Sequence, residues 1–200
     1  MTKGRLEAFS DAVIAIIMTI MVLELKAPHG ASLADLRPNL PVFLSYVLSF
    51  VYLGIYWNNH HHLLQATKKV NGAILWANMH LLFWLSMVPF GTAWMGENAL
   101  GAGPVALYGL LLLASGIAYY ILAQSLIKLH GRDSALARAI GKDVKGILSL
   151  VIYSVAVVTA FWQPIASCVL YAVVAIIWLV PDTRLERTLD IRSESSPEKD

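Results

Sequence analysis

A chain of 200 residues that is 58% hydrophobic and only 14% charged, with a formal net charge of +2, cannot cover itself with the polar surface of a soluble domain. Lipid must solvate most of it. One cysteine, Cys168, excludes a disulfide framework or a thiolate metal site within one chain.

A helix needs about 20 apolar residues to cross roughly 30 Å of hydrocarbon. Stretches that meet this run over 8–26, 40–64, 72–95, 104–127, 144–162 and 165–180, the last being the shortest. The first follows Lys3 and Arg5 but is no signal peptide, because it is long, carries Asp11 and lacks a small-x-small cleavage site. Gly96 with the Gly101, Gly103, Pro104 cluster is expected to divide the third stretch from the fourth, and Gln163-Pro164 the fifth from the sixth. Lys and Arg are retained on the cytoplasmic side. With the N-terminus inside, every Lys and Arg except Lys26 and Arg37 falls on that side. The expected architecture is an all-α membrane protein of six transmembrane helices with both termini cytoplasmic. Residues 1–181 form the helical domain and 182–200 a charged, Ser-rich tail without fixed structure.

Ionisable groups inside spans are expensive and mark function by default. Helix one carries Asp11 and Glu24; helix two carries His60, His61 and His62; helix three carries His80. With Ile16 at zero on a wheel of about 100° per residue, Leu23 falls at about −20°, Ala12 at −40°, Thr19 at −60° and Ile20 at +40°. These five form one stripe. Asp11 lies near −140° and Ser10 near +120°, which turns both toward neighbouring helices. Arg5 is a candidate charge partner for Asp11, within the chain or across to another. A transmembrane Thr commonly bonds back to the carbonyl four residues earlier, and spacing alone favours that role for Thr19. Three consecutive histidines point about 100° apart and cannot all ligate one ion, so no metal site, cofactor or enzymatic centre is expected. One or two of these histidines should face inward, with Asp11 a natural partner. The six tryptophans lie mostly toward span ends, as interfacial anchors do.

The segment Arg5-x-x-x-Phe9-Ser10-Asp11 followed by Ala12, Ile16, Thr19 and Leu23 resembles the signature of the endosomal and lysosomal potassium channel family, also called the transmembrane protein 175 family. One copy of the motif with six spans is similar to the prokaryotic branch. The resemblance implies a homotetramer in the bacterial inner membrane, with helix one of each subunit lining a central pore. It implies that Ile16 forms the narrowest point, that Thr19 contributes to potassium preference and that Leu23 adds a second apolar ring. It also implies that Arg5, Ser10 and Asp11 join a structural polar network that includes a histidine; His60, His61, His62 and His80 are all open. The chain contains no Thr-Val-Gly-Tyr-Gly stretch whose carbonyls would coordinate potassium. The implied partners are membrane lipids, potassium and other monovalent cations, and no nucleic acid. The competing reading is a proton-coupled secondary transporter using Asp11 and the histidines, although an unbroken helix one argues against it.

Overall fold

The computed structural model describes residues 2–131, 133–141 and 143–179, and all regular structure among them is helical. Helix α1 spans Lys3–Ile20 and tightens into a 3-10 turn over Met21–Glu24. A second 3-10 segment, Leu33–Asn39, opens on a capping box in which Ser32 and Asp35 exchange side-chain bonds with each other's backbone, and leads into α2, Leu40–Gln65. Then follow α3 (Gly72–Ser86), α4 (Val88–Glu97), α5 (Ala102–His130), α6 (Ala135–Ile140), α7 (Val144–Thr159) and α8 (Pro164–Leu179).

The third stretch is therefore two helices rather than one. Pro89 has no amide to give to Leu85, so the ladder breaks at Met87 and restarts with the proline in the first turn of α4. Together α3 and α4 make one apolar stretch, Gly72–Glu97, which with Lys3–Glu24, Leu33–Gln65 and Ala102–His130 is long and apolar enough to cross a membrane. Helices α7 and α8 have 16 residues each, short of the roughly 20 that span the hydrocarbon. The tail over 182–200 lies outside the described residues.

Gly96 does not make the turn expected of it. It sits inside α4, where a Cβ would come within 2.7 Å of the Val42 backbone, so its smallness lets α4 press against α2. The turn itself runs through Ala99 and Leu100, both in the left-handed region, before Gly101 caps α5. Pro164 does open α8, after a tight reversal through Phe161, Trp162 and Gln163.

Helix α5 is the centre of the bundle, packed against α3, α4, α7 and α8. Its buried Tyr108 meets Ser49 of α2 at 2.9 Å, and Thr92 of α4 donates to the same Ser49 at 2.7 Å. Hydrogen bonds of this kind matter here because lipid tails are as apolar as leucine, so burial alone does not drive helices together.

The loops show which helix ends share a side of the bundle. Lys3 Nζ donates to the Gln65 carbonyl at 3.0 Å, and His130 Nε2 accepts the amides of Lys68 and Lys69 at 3.1 and 3.2 Å. The start of α1, the end of α2 and the end of α5 therefore meet at one end, which carries Lys3, Lys68, Lys69 and Lys128. At the other end Lys26 pairs with Glu97 at 3.0 Å, and Asn39 Nδ2 donates to the Lys26 carbonyl.

Candidate functional site

Helix α1 packs against α2, α3 and α4 through Leu6, Ser10, Ile14, Ile17 and, in the following turn, Met21, all buried. These positions recur at three- and four-residue spacing, as one helix face requires. The opposite face is bare. Ala12, Ile16, Thr19, Ile20 and Leu23 are all exposed, with Ile16 at 59% and Leu23 at 78%. Ala8, four residues before Ala12, is exposed on this side too.

Thr19 bonds back to its own helix, its Oγ1 lying 3.0 Å from the carbonyls of both Ala15 and Ile16. The hydroxyl proton is thereby committed to the backbone. The oxygen keeps its lone pairs for whatever approaches the exposed face.

The buried face is pinned by a chain of polar contacts between three helices. Ser10 donates to the Leu6 carbonyl at 2.8 Å and accepts from Asn78 Nδ2 of α3 at 2.9 Å. The Asn78 carbonyl oxygen lies 2.7 Å from His60 Nε2 of α2. All three side chains are fully buried. Since the amide nitrogen of Asn78 donates to Ser10, its oxygen must accept, so His60 carries its proton on Nε2. His60 Nδ1 is then a bare acceptor, and it has no partner.

Asp11 joins none of the histidines: its Oδ1 accepts the indole N–H of Trp57 at 3.0 Å. Trp57 is thus tied to α1 rather than serving only as an interfacial anchor, and it stacks on His61 with ring centroids 5.9 Å apart. His61 Nδ1 lies 3.5 Å from a Glu7 carboxylate oxygen. His62 Nδ1 is buried without a partner, and His80 accepts from Trp84 on its own helix. Arg5 and Phe9 are exposed, and among the described residues Arg5 forms no ion pair within the chain. Three successive histidines thus have three different surroundings. Among the described residues no group of three or more His, Cys, Asp or Glu side chains is arranged to hold a metal ion.

Asn78 is not among the residues that the sequence singles out, since helix three is marked there only by His80. Its signal was an amide in the middle of an otherwise apolar helix, Gly72–Ser86, where an unpaired amide would cost several kcal/mol.

The profile of the family described as endosomal/lysosomal potassium channel TMEM175 matches residues 5–89, which hold α1, α2, α3 and the motif at the start of α1. A protein of Chryseobacterium sp. (strain P1-3) named as a potassium channel is 55% identical over 189 residues, covering 94% of this chain and 98% of its own. A potassium channel of Streptomyces collinus is 33% identical over 128 residues, 60% of this chain and 62% of its own. The crystal structure of a homologue from Chamaesiphon minutus, described as a lysosomal potassium-selective channel TMEM175 homologue, superposes with a TM-score of 0.79 at 27% identity, over 90% of this chain and 97% of that one. An identity of 55% over nearly the full length of both chains leaves no room for a different fold or lineage. This chain belongs to the TMEM175 family of endosomal/lysosomal potassium channels.

Proposed function

We propose that this chain is one subunit of a potassium-permeable cation channel, a homotetramer in the bacterial inner membrane whose pore is lined by α1 of each copy. The observation that carries the reading is the two-sidedness of α1. One face is buried against α2 and α3, with Ser10 hydrogen-bonded to α3, while the other leaves Ala12, Ile16, Thr19, Ile20 and Leu23 exposed among the described residues. One helix stripe cannot enclose a path for ions, so several copies must share it. The bacterial relative at 55% identity is named as a potassium channel, which supports the assignment of ion.

In this reading each subunit crosses the membrane six times, with both termini and the basic end of the bundle in the cytoplasm. Four Ile16 side chains form the constriction. An apolar ring narrow enough to shed water imposes a desolvation barrier on every ion, and a small outward displacement of α1 rewets it. Thr19, one turn away, offers an oxygen whose proton is already committed to the backbone. Four such oxygens replace part of a cation's hydration shell without a re-entrant filter. Leu23 forms a second apolar ring beyond them. Ser10, Asn78, His60, Asp11 and Trp57 hold the helix in register and touch no ion. No cofactor takes part, and potassium is the permeant species.

The test is potassium flux into proteoliposomes with sodium as competitor. Ile16→Asn is expected to raise flux roughly tenfold by lowering the barrier about 1.4 kcal/mol. Thr19→Ala is expected to reduce the preference for potassium while leaving total flux near wild type, and Thr19→Ser to restore it. Flux that is silent in wild type and in every variant overturns the pore assignment, and flux that runs only with a proton gradient overturns it in favour of coupled transport.

A further inference from the structure

A second feature lies away from α1. Helices α2, α5, α7 and α8 line a partly open cavity of about 40 Å³, walled by Tyr52, Tyr56, Tyr119, Tyr153 and Trp178, with Asp143 among its residues. A volume of this size holds about three water-sized groups, enough for one small polar head and too little for a whole small molecule. The cavity is built into a tight seam. A Cβ at Gly116 of α5 would lie 2.9 Å from the end of the Leu150 side chain of α7, which would have to shift to admit it. Trp178 locks α8 to α7 across the lining by donating to Ser149 at 2.8 Å.

The chemistry of the lining is specific. Asp143 is the one carboxylate in it, and it caps α7 by accepting the Gly146 amide at 2.8 Å through a single oxygen. Tyr119 donates to the Asn59 carbonyl, whereas the Tyr56 hydroxyl forms no hydrogen bond among the described residues. Tyr56 and Tyr119 meet edge to face at 6.3 Å. An acyl chain leaves the carboxylate and the free hydroxyl unanswered, and an anion is repelled by Asp143. An ammonium group satisfies both and gains attraction from the surrounding aromatic rings.

The position says where the ammonium comes from. Asp143 caps the start of α7, Trp178 lies near the end of α8, and Tyr119 lies past the midpoint of α5 toward its His130 end, so the cavity opens nearer the basic end of the bundle. On the same two helices, Ile117, Tyr120 and Ile121 of α5 and Ile147, Leu148 and Val151 of α7 are exposed apolar surface. Exposed apolar side chains in such number suit lipid better than bulk water. We propose that the cavity holds the ammonium headgroup of a zwitterionic phospholipid of the ethanolamine class, drawn from the leaflet at the basic end.

The experiment is native mass spectrometry of the full-length assembly released from nanodiscs that contain equal parts of phosphatidylethanolamine, phosphatidylglycerol and N-acetylated phosphatidylethanolamine. Wild type is expected to retain the free-amine lipid about tenfold over the other two. Asp143→Asn keeps a side-chain oxygen for the α7 cap and is expected to bring the three lipids to parity. Tyr119→Leu, which leaves the cap untouched, reduces the preference as well and serves if the first variant fails to fold. Equal retention of all three lipids by wild type, or a preference that survives both substitutions, overturns the proposal and leaves an acyl-chain cavity. Displacement of the lipid by millimolar free ethanolamine overturns the lipid source and assigns the site to a soluble amine.

Discussion

Helices α1 and α5 have similar apolar composition but opposite roles. In the most apolar window of α5 half the residues are buried, against 28% for α1 with its following turn. Helix α5 packs against neighbours on several sides, with tyrosines and glycines at the contacts, while α1 gives one face to the bundle and withholds the other. Hydropathy does not distinguish a scaffold helix from a helix kept in reserve for an interface, because both are equally soluble in lipid. Burial distinguishes them, and so should mutation.

The largest difference is expected between Gly109 and Ile16. A Cβ at Gly109 would overlap the side chain of Tyr171, which is fully buried, and approach Val157 at 2.8 Å. Gly109→Leu is expected to cost about 3 kcal/mol or more and to abolish recovery of a monodisperse peak in fluorescence-detected size-exclusion chromatography. Ile16→Asn, on the withheld face, is expected to leave subunit folding intact while changing flux. If Ile16→Asn destroys the fold and Gly109→Leu does not, the division between scaffold and interface is wrong.

Asn78→Leu comes next, because it strikes the joint between the two faces of α1. The substitution leaves His60 Nε2 and Ser10 without their shared partner, at an expected cost of about 1–2 kcal/mol, read as a lowered melting temperature. Ser10→Ala combined with it should cost less than the two singles together, since both break one chain of bonds. Full additivity would mean that Ser10 and Asn78 act separately despite the 2.9 Å contact.

The stripe Ala12, Ile16, Thr19, Ile20, Leu23 was legible from sequence because rotation per residue is a local property of any α-helix. So was the collection of lysines at one end, because charge retention needs no tertiary information. The partners of Asp11 and His60 were not legible. Pairing Asp11 with Trp57 and His60 with Asn78 depends on the rotation of α2 about its own axis, which packing sets and a single sequence does not encode. The break at Met87 could have been read from Pro89, but proline in transmembrane helices often bends rather than ends them. Gly96 misled for a related reason: a glycine near a span end serves a turn or a close approach, and only the proximity of Val42 decides between them.

The smallest effect is expected at the other end of α1, where Lys26 pairs with Glu97. The hydrogen bond and charge of Glu97 raise the lysine's pKa above its ordinary value, so whatever the pair contributes is fully present below a pH of about 10.4 and disappears as pH climbs through the raised value. Both groups are open to solvent, where water and salt screen such pairs. Lys26→Met is therefore expected to leave the melting temperature at pH 7 unchanged within error, in low salt and high. The buried Met21, not the ion pair, then fixes this end of α1. A clear drop in melting temperature at pH 7 that vanishes above pH 11 would reverse this. The bare face would then be held in place by a surface contact, and its freedom to move would depend on ionic strength.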